Sequence, residues 1–207
     1  MRAFIHFDQI PPVPLHKVKL SDLMAAGSHT PEFEAVISRA CSDPRFKDRR
    51  IPRNPIVALR EDEASLGFRM VPVACGVHGY SLAFLRSPGT MVAYDGAGSI
   101  VGGFPLKSIL VLPEHRGRGL GAEILIKAFE TGVMHPDTMN RDNLLTTAGR
   151  ANRIAAHRIA VERAVRAGVE VAPDVLADYA DLLPEWSARQ ELPPSPGGAP
   201  GPRVPLP

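Results

Sequence analysis

The stretch from Ile109 to Gly132 constrains the fold most, because it predicts a strand, a turn and a helix in direct succession. Ile109 to Leu112 is a short β-branched and leucine run that ends at Pro113, which cannot donate to a sheet ladder. After a glycine-rich turn, apolar residues recur at the spacing of one helix face until Gly132. That face consists of Leu120, Ile124, Leu125, Ala128 and Phe129, and the opposite face carries Glu123, Lys127 and Glu130.

The turn reads Arg116-Gly117-Arg118-Gly119-Leu120-Gly121 and has the composition of an anion site. A pyrophosphate needs convergent backbone N–H donors, close approach of the main chain and a positive field. The glycines allow close approach, the arginines add charge, and a helix beginning near Gly119 presents free amides. A plain strand-to-helix connection is the structural alternative. It is less favoured, because three glycines alternating with other residues cost backbone entropy that a simple connection does not need.

Two other phosphate-binding motifs fit the turn less well. A P-loop requires G-x-x-x-x-G-K-[ST], and no lysine followed by serine or threonine lies there. The run Gly117-x-Gly119-x-x-Ala122 formally matches the dinucleotide fingerprint. However, Pro113 to Arg116 separate it from the strand, and no second strand precedes the acidic residues that follow, Asp137 and Asp142. The dinucleotide interpretation therefore stays the weaker alternative.

The run Leu112 to Gly121 resembles the acyl-coenzyme A signature of the GCN5-related N-acetyltransferases, [QR]-x-x-G-x-[GA] after a strand. Its specified places are held by Arg116, Gly119 and Gly121. Upstream, Val92 to Asp95 and Ser99 to Gly102 resemble the strand hairpin that precedes the signature, so the resemblance covers about residues 90 to 131. It implies a single α/β (α+β) domain with a mixed, mostly antiparallel sheet flanked by helices.

The resemblance also implies a reaction and a set of cofactor contacts. An amine would attack the thioester of acetyl-CoA directly, without a metal. The preceding strand would offer backbone groups to the pantetheine arm, and the turn amides would take the pyrophosphate. The cofactor-binding residues so implied are Ile109, Leu110, Val111, Arg116, Gly117, Arg118, Gly119, Leu120, Gly121, Ala122 and Asn152.

One departure from the family concerns the general acid. Members often carry a tyrosine on an asparagine-containing helix, but counting from Asn152 puts Ile159 there, and counting back from Gly168 puts Ala164 there. The general acid is therefore unassigned, and the titratable candidates are Glu114, at the strand exit, and His157. Neither residue needs a catalytic role, because Glu114 can be a surface residue of the turn and His157 an exposed histidine on the helix. The missing tyrosine keeps open an alternative function, a non-catalytic acyl-CoA or nucleotide sensor.

The rest of the chain predicts further elements. A helix is expected at about 31 to 41 after Thr30, and a second from about 148 to 167, ending at Gly168. Its apolar side would contain Ala151, Ile154, Ala155, Val161 and Val165, with arginines opposite. Between 56 and 104 the β-rich runs are Ile56 to Leu59, Met70 to Cys75, Tyr80 to Leu85, Met91 to Tyr94 and Ile100 to Val101, with a hairpin loop at Asp95 to Gly98. Leu144 and Leu145 suggest a short strand. The segment from Val169 to Leu183 suggests a strand followed by a helix that begins at Pro173.

Composition narrows the class of protein. Lysine and arginine total 24 against 22 acidic residues, which gives no strong nucleic-acid or membrane-surface signal. Without an apolar signal segment or an 18-residue apolar run, a cytoplasmic location is expected. Cys41 and Cys75 are interpreted as reduced core thiols. We expect an N-terminal strand and helix flank (1–55), an acyl-CoA-binding, acetyltransferase-like core (56–185) and a disordered tail rich in proline and glycine (186–207). The expected acceptor is a small-molecule or peptide amine, and a homodimer is compatible with the sequence.

Overall fold

The computed structural model describes residues 11–43, 45–47, 55–66, 69–85, 89–104, 109–136 and 144–184. The helices are α1 (Leu20–Leu23), α2 (Pro31–Ser42), α3 (Pro55–Leu66), α4 (Leu120–Glu130), α5 (Thr147–Arg166) and α6 (Pro173–Leu176). The strands are β1 (Gly27–Ser28), β2 (Val71–Val73), β3 (Tyr80–Leu85), β4 (Thr90–Asp95), β5 (Ile100–Gly103), β6 (Leu110–Val111) and β7 (Leu144–Leu145). Short 3₁₀ turns occupy Leu15–Lys17, Pro113–His115 and Ala180–Leu182.

Strands β2 to β6 form one antiparallel sheet in which each strand pairs with the next along the chain. The predicted hairpin loop joins β4 to β5, and Asp95 Oδ1 accepts the N–H groups of Ala97 and Ser99 at 3.0 and 2.8 Å. At Gly102 a Cβ would lie 2.6 Å from Leu110 O, and at Gly103 it would lie 2.3 Å from Met91 O. Glycine is therefore required for β5 to lie between β4 and β6. Apart from this sheet, β1 pairs with β7 in parallel.

Helices cover both faces of the sheet. Because side chains alternate along a strand, Met91 and Ala93 join the core cluster that contains α4, whereas Val92 joins the cluster of Leu59 on α3. Helix α5 packs on α4. The N-terminal residues Leu15, Val18 and Leu23 are buried in the same main cluster. The chain thus folds as a mixed α+β structure, a five-stranded antiparallel sheet flanked by helices.

One predicted strand is wrong. Ile56 to Leu59 lies inside α3, which runs from Pro55 to Leu66. A short apolar run does not by itself distinguish a strand from the buried side of a helix. Here Pro55 occupies the first helical position, and Leu59 is buried while the following residues Arg60 and Glu61 are exposed. The apolar run therefore belongs to the buried side of a helix and does not form a strand.

The predicted bounds of α5 are confirmed, but its predicted apolar side is partly wrong. Ala151, Ile154 and Ala155 are exposed, whereas Arg153 and His157 are buried. Burial of these polar side chains is tolerated because each has a hydrogen-bond partner. Arg153 Nη1 donates to Leu23 O at 2.6 Å, for example. The buried positions of the helix are Arg153, Ala156, His157, Ala160, Val161, Ala164 and Val165.

Other predictions concern single elements. Helix α2 follows Thr30 as expected, and α6 begins at Pro173, but residues 169–183 contain no strand. Cys75 is a free, half-buried thiol. The side chain of Cys41, residues 1–10 and the predicted tail from 186 onwards lie outside the described residues. In the ranges that are described, every helix is too short or too polar to cross a bilayer.

Candidate functional site

The turn between β6 and α4 has two glycines that the backbone requires. Gly117 has φ +73° and Gly119 has φ +81°, a region that side-chain-bearing residues rarely adopt. Among the described residues, a Cβ at Gly117 would meet no atom within 4 Å, and one at Gly119 would meet only Val77 Cγ2, at 3.9 Å. The turn therefore faces open space at both positions.

The turn and the first turn of α4 carry six consecutive backbone N–H groups that have no acceptor in the described part of the chain. The N–H of Arg116 bonds to Pro113 O and that of Glu123 to Gly119 O, but none between them has a partner among the described residues. We call the intervening residues, Gly117 to Ala122, the amide cradle. These donors, together with the positive end of the helix dipole, attract an anion.

Helices α2 and α5 differ from α4 in having side-chain caps. Thr30 Oγ1 accepts the N–H of Phe33 at 3.4 Å at the start of α2, and Thr146 Oγ1 accepts that of Gly149 at 2.9 Å at the start of α5. Glu34 Oε1 also accepts the N–H of Thr147 at 2.7 Å. Helix α4 follows Gly119, which has no side chain to cap it. Its N–H donors therefore remain available to a ligand.

Two arginines beside the cradle have no carboxylate partner in the described part of the chain. Arg116 Nε donates to Val111 O at 2.9 Å, and Arg118 Nη1 donates to the Tyr80 hydroxyl at 3.2 Å. By contrast, three arginines of the predicted solvent-facing series on α5 form ion pairs with Glu or Asp; these are Arg158, Arg163 and Arg166. No described carboxylate thus pairs with either guanidinium at the cradle, which favours an anion site.

Strand β6 is an edge of the described sheet and adjoins the cradle. Leu112 donates its N–H to Val101 O at 2.9 Å, so Val111, the preceding residue, turns its N–H and C=O away from β5. By the same alternation, Leu110, which pairs with Gly103, directs its backbone N–H and C=O toward β5. Of the predicted pantetheine contacts in β6, Val111 is therefore the one with backbone groups at the free edge.

Gly121 and Asn152 meet where α4 crosses α5. Asn152 Nδ2 donates to Gly121 O at 3.1 Å, and a Cβ at Gly121 would lie 2.7 Å from Asn152 Oδ1. The missing side chain at Gly121 thus serves close packing between the two helices. Asn152, predicted to bind cofactor, contacts the carbonyl of a cradle residue and holds that end of the cradle in place.

Glu123 is buried, contrary to its predicted place on the polar face of α4. Its side chain is 2 % exposed; Oε1 accepts the N–H of Gly76 at 2.9 Å, and the other oxygen lies 2.8 Å from Arg163 Nη2. A buried carboxylate is tolerated when it is paired and hydrogen-bonded in this way. Because its partners lie tens of residues away, no local pattern marks it. Glu123 fastens the loop that contains Gly76 to the first turn of α4.

We expect Glu123→Gln to lower the free energy of unfolding by about 1 kcal/mol, because it removes the charge while one oxygen can still accept from Gly76. Half-exposed Arg163 regains water, which limits the loss. Denaturant titration measures the effect. Glu130→Gln, on the exposed side of the same helix, is the control and should stay within about 0.5 kcal/mol of wild type. Equal effects of both changes would contradict the buried role of Glu123.

The two catalytic candidates occupy different environments. Glu114 is exposed in the 3₁₀ turn after β6. His157 is fully buried, so the exposed-histidine interpretation is wrong. Its Nε2 lies 2.7 Å from Val18 O and must donate to that carbonyl, which leaves Nδ1 to accept from the Tyr179 hydroxyl at 2.7 Å. Burial lowers the pKa of His157. With both nitrogens engaged and no exposed surface, His157 cannot contact a substrate in this structure.

Tyr80 is a residue at the turn that sequence reasoning missed. Its hydroxyl lies 3.0 Å from His115 Nδ1 and also accepts from Arg118. Tyr80 reads in the sequence as the first residue of a strand, and nothing local connects it to a turn more than 30 residues later.

No protein-family model, no curated protein sequence and no solved structure matches this chain. Across the described ranges, no group of three or more His, Cys, Asp or Glu side chains is placed to hold a metal ion. Function is accordingly inferred from the cradle and its surroundings.

Proposed function

We propose that this chain is an acyl-CoA-dependent N-acetyltransferase of the GCN5-related type, which transfers an acetyl group from acetyl-CoA to an amine. The observation that carries the proposal is the amide cradle. Six successive N–H groups lack acceptors among the described residues, and the adjacent Arg116 and Arg118 lack carboxylate partners. A diphosphate offers several anionic oxygens that accept from such donors together.

The surroundings of the cradle support the same proposal. The order of strand, turn and helix agrees with the family signature, and an antiparallel sheet flanked by helices is compatible with its fold. With the diphosphate in the cradle, the pantetheine arm would extend along the free edge of β6. There the N–H of Val111 can donate to an amide carbonyl of that arm. Backbone contacts of this kind would orient the thioester for attack.

In the proposed reaction the amine nitrogen forms a bond to the thioester carbonyl carbon, and the carbon–sulfur bond breaks. The amine loses a proton and the departing thiolate gains one. Helix α5 offers no tyrosine for the second transfer, because Ile159 and Ala164 occupy the two candidate positions. This absence favours the second candidate function, an acyl-CoA or nucleotide sensor that binds without turnover.

Turnover distinguishes the two functions. Calorimetric titration with coenzyme A should show binding. S-acetylpantetheine should bind at least about tenfold more weakly, because it lacks the diphosphate that the cradle would hold. That ratio corresponds to a loss of about 1.4 kcal/mol in binding free energy. A screen of polyamines, amino acids, aminoglycosides and peptide N-termini should then release free thiol from acetyl-CoA above the amine-free rate. Binding without release for every amine class would establish the sensor. Absence of coenzyme A binding would contradict the transferase and the acyl-CoA sensor alike, and would leave only the nucleotide sensor.

A further inference from the structure

Arg118 lies between the two left-handed glycines of the turn and is fixed by a single side chain, that of Tyr80. Its Nη1 donates to the Tyr80 hydroxyl at 3.2 Å, and its other nitrogens have no partner among the described residues. An arginine on an exposed turn otherwise samples many rotamers, and ordering it on a ligand costs side-chain entropy. The contact with Tyr80 reduces the freedom of Arg118 before any ligand arrives.

The same hydroxyl connects to the beginning of the turn. Since Arg118 can only donate, the Tyr80 oxygen accepts from it and its proton is free for His115 Nδ1, 3.0 Å away. The two rings meet edge-on, with centroids 5.8 Å apart and planes at 80°. Tyr80 thus joins His115, which precedes the turn, to Arg118 within it.

Tyr80 is itself held beside the cradle by the loop that precedes it. The N–H of Gly76 bonds to buried Glu123 in α4, and Val77 lies next to Gly119. The first residue of β3 is therefore brought to the turn, although two strands, β4 and β5, lie between β3 and β6 in the sheet. The position of the Tyr80 hydroxyl follows from these contacts on both sides.

We propose that Tyr80 is a positioning residue that preorganises Arg118 to bind the phosphate groups of the acyl donor; this inference rests on the proposed function. Tyr80 acts through the guanidinium, whose Nε and Nη2 donors stay available to phosphate oxygens. Its contribution is consequently expected only for ligands that carry the diphosphate and only while Arg118 is present.

A double-mutant cycle tests this. Tyr80→Phe removes the hydroxyl and keeps the ring, and should weaken coenzyme A binding about fivefold in calorimetry, because Arg118 must then be ordered on binding. Arg118→Gln should weaken it about tenfold, and the double variant should be no weaker than Arg118→Gln alone. S-acetylpantetheine should bind all of these variants equally. Tyr94→Phe is the control, because Tyr94 is equally half-buried in the sheet but its hydroxyl is influenced by Glu63 and not by the turn. A thermal melt verifies that each variant is folded.

The outcomes separate this inference from the function on which it rests. Unchanged coenzyme A affinity in Tyr80→Phe, or losses that multiply to about fiftyfold in the double variant, would overturn the positioning role while leaving the cofactor site intact. A weakened affinity for S-acetylpantetheine would do the same, since the effect would then not depend on phosphate. Failure of the wild-type protein to bind coenzyme A would remove the proposed function and this inference together.

Discussion

Gly119→Val should weaken coenzyme A binding about thirtyfold, which corresponds to about 2 kcal/mol. Gly119 has φ +81° and immediately precedes α4, so its N–H and those of the following residues lie in the cradle. A valine would place two methyl groups in the open space beside the turn, where only Val77 lies within 4 Å. These methyl groups would occupy the space that the phosphate oxygens need. Calorimetric titration of the variant with coenzyme A measures the loss.

A matched control is needed, because valine at this position also strains the backbone and that strain lowers stability. A β-branched residue at positive φ costs about 1–2 kcal/mol wherever it is placed. Gly98 in the hairpin between β4 and β5 has φ +76°, and a Cβ there would also meet no atom within 4 Å. Gly98→Val should therefore lose similar stability but keep wild-type affinity for coenzyme A. Equal affinities in the two variants would rule out the cradle as the phosphate site.

The parts of this fold that could be predicted from the sequence are those with local signals. Thr30 followed by proline marks the start of α2, and the glycine-rich loop after Asp95 marks a hairpin. The unit from β6 to α4 combines a proline stop, turn glycines and helical periodicity in fewer than 25 residues. Each of these patterns depends on neighbours in the chain, which is the information that a single sequence contains.

The parts that could not be predicted depend on partners far away in the sequence. Glu123 has the spacing of an exposed helix residue, and only Gly76 and Arg163 make its burial favourable. Tyr80 reaches the cradle because of the loop before it. Ile56 to Leu59 shows the same limit for secondary structure, since packing of α3 on the sheet decides between helix and strand. The donors of the cradle were predictable, whereas the side chains that hold it were not.

His157 connects three parts of the fold, and His157→Leu should lower the free energy of unfolding by about 3 kcal/mol at pH 7.5. The substitution keeps a large apolar side chain but leaves Val18 O and the Tyr179 hydroxyl, both in buried residues, without their partner. An unsatisfied buried polar group costs about 1–3 kcal/mol. Denaturant titration measures the loss, and Ile154→Ala, at an exposed position of the same helix, should change stability by no more than about 0.5 kcal/mol.

The stabilising effect of His157 should also depend on pH. Burial lowers its pKa below the ordinary histidine value, so the unfolded chain binds the proton more readily than the folded one. Its contribution is therefore complete above about pH 6.5, the unfolded value, and is lost as pH falls below it. The stability difference between wild type and His157→Leu should shrink from pH 7.5 to pH 5. His16 and His29, whose pKa values burial also lowers, are present in both proteins and cancel in this difference. A constant or growing difference at low pH would mean that His157 is charged in the folded core and that its bonds to Val18 and Tyr179 survive protonation.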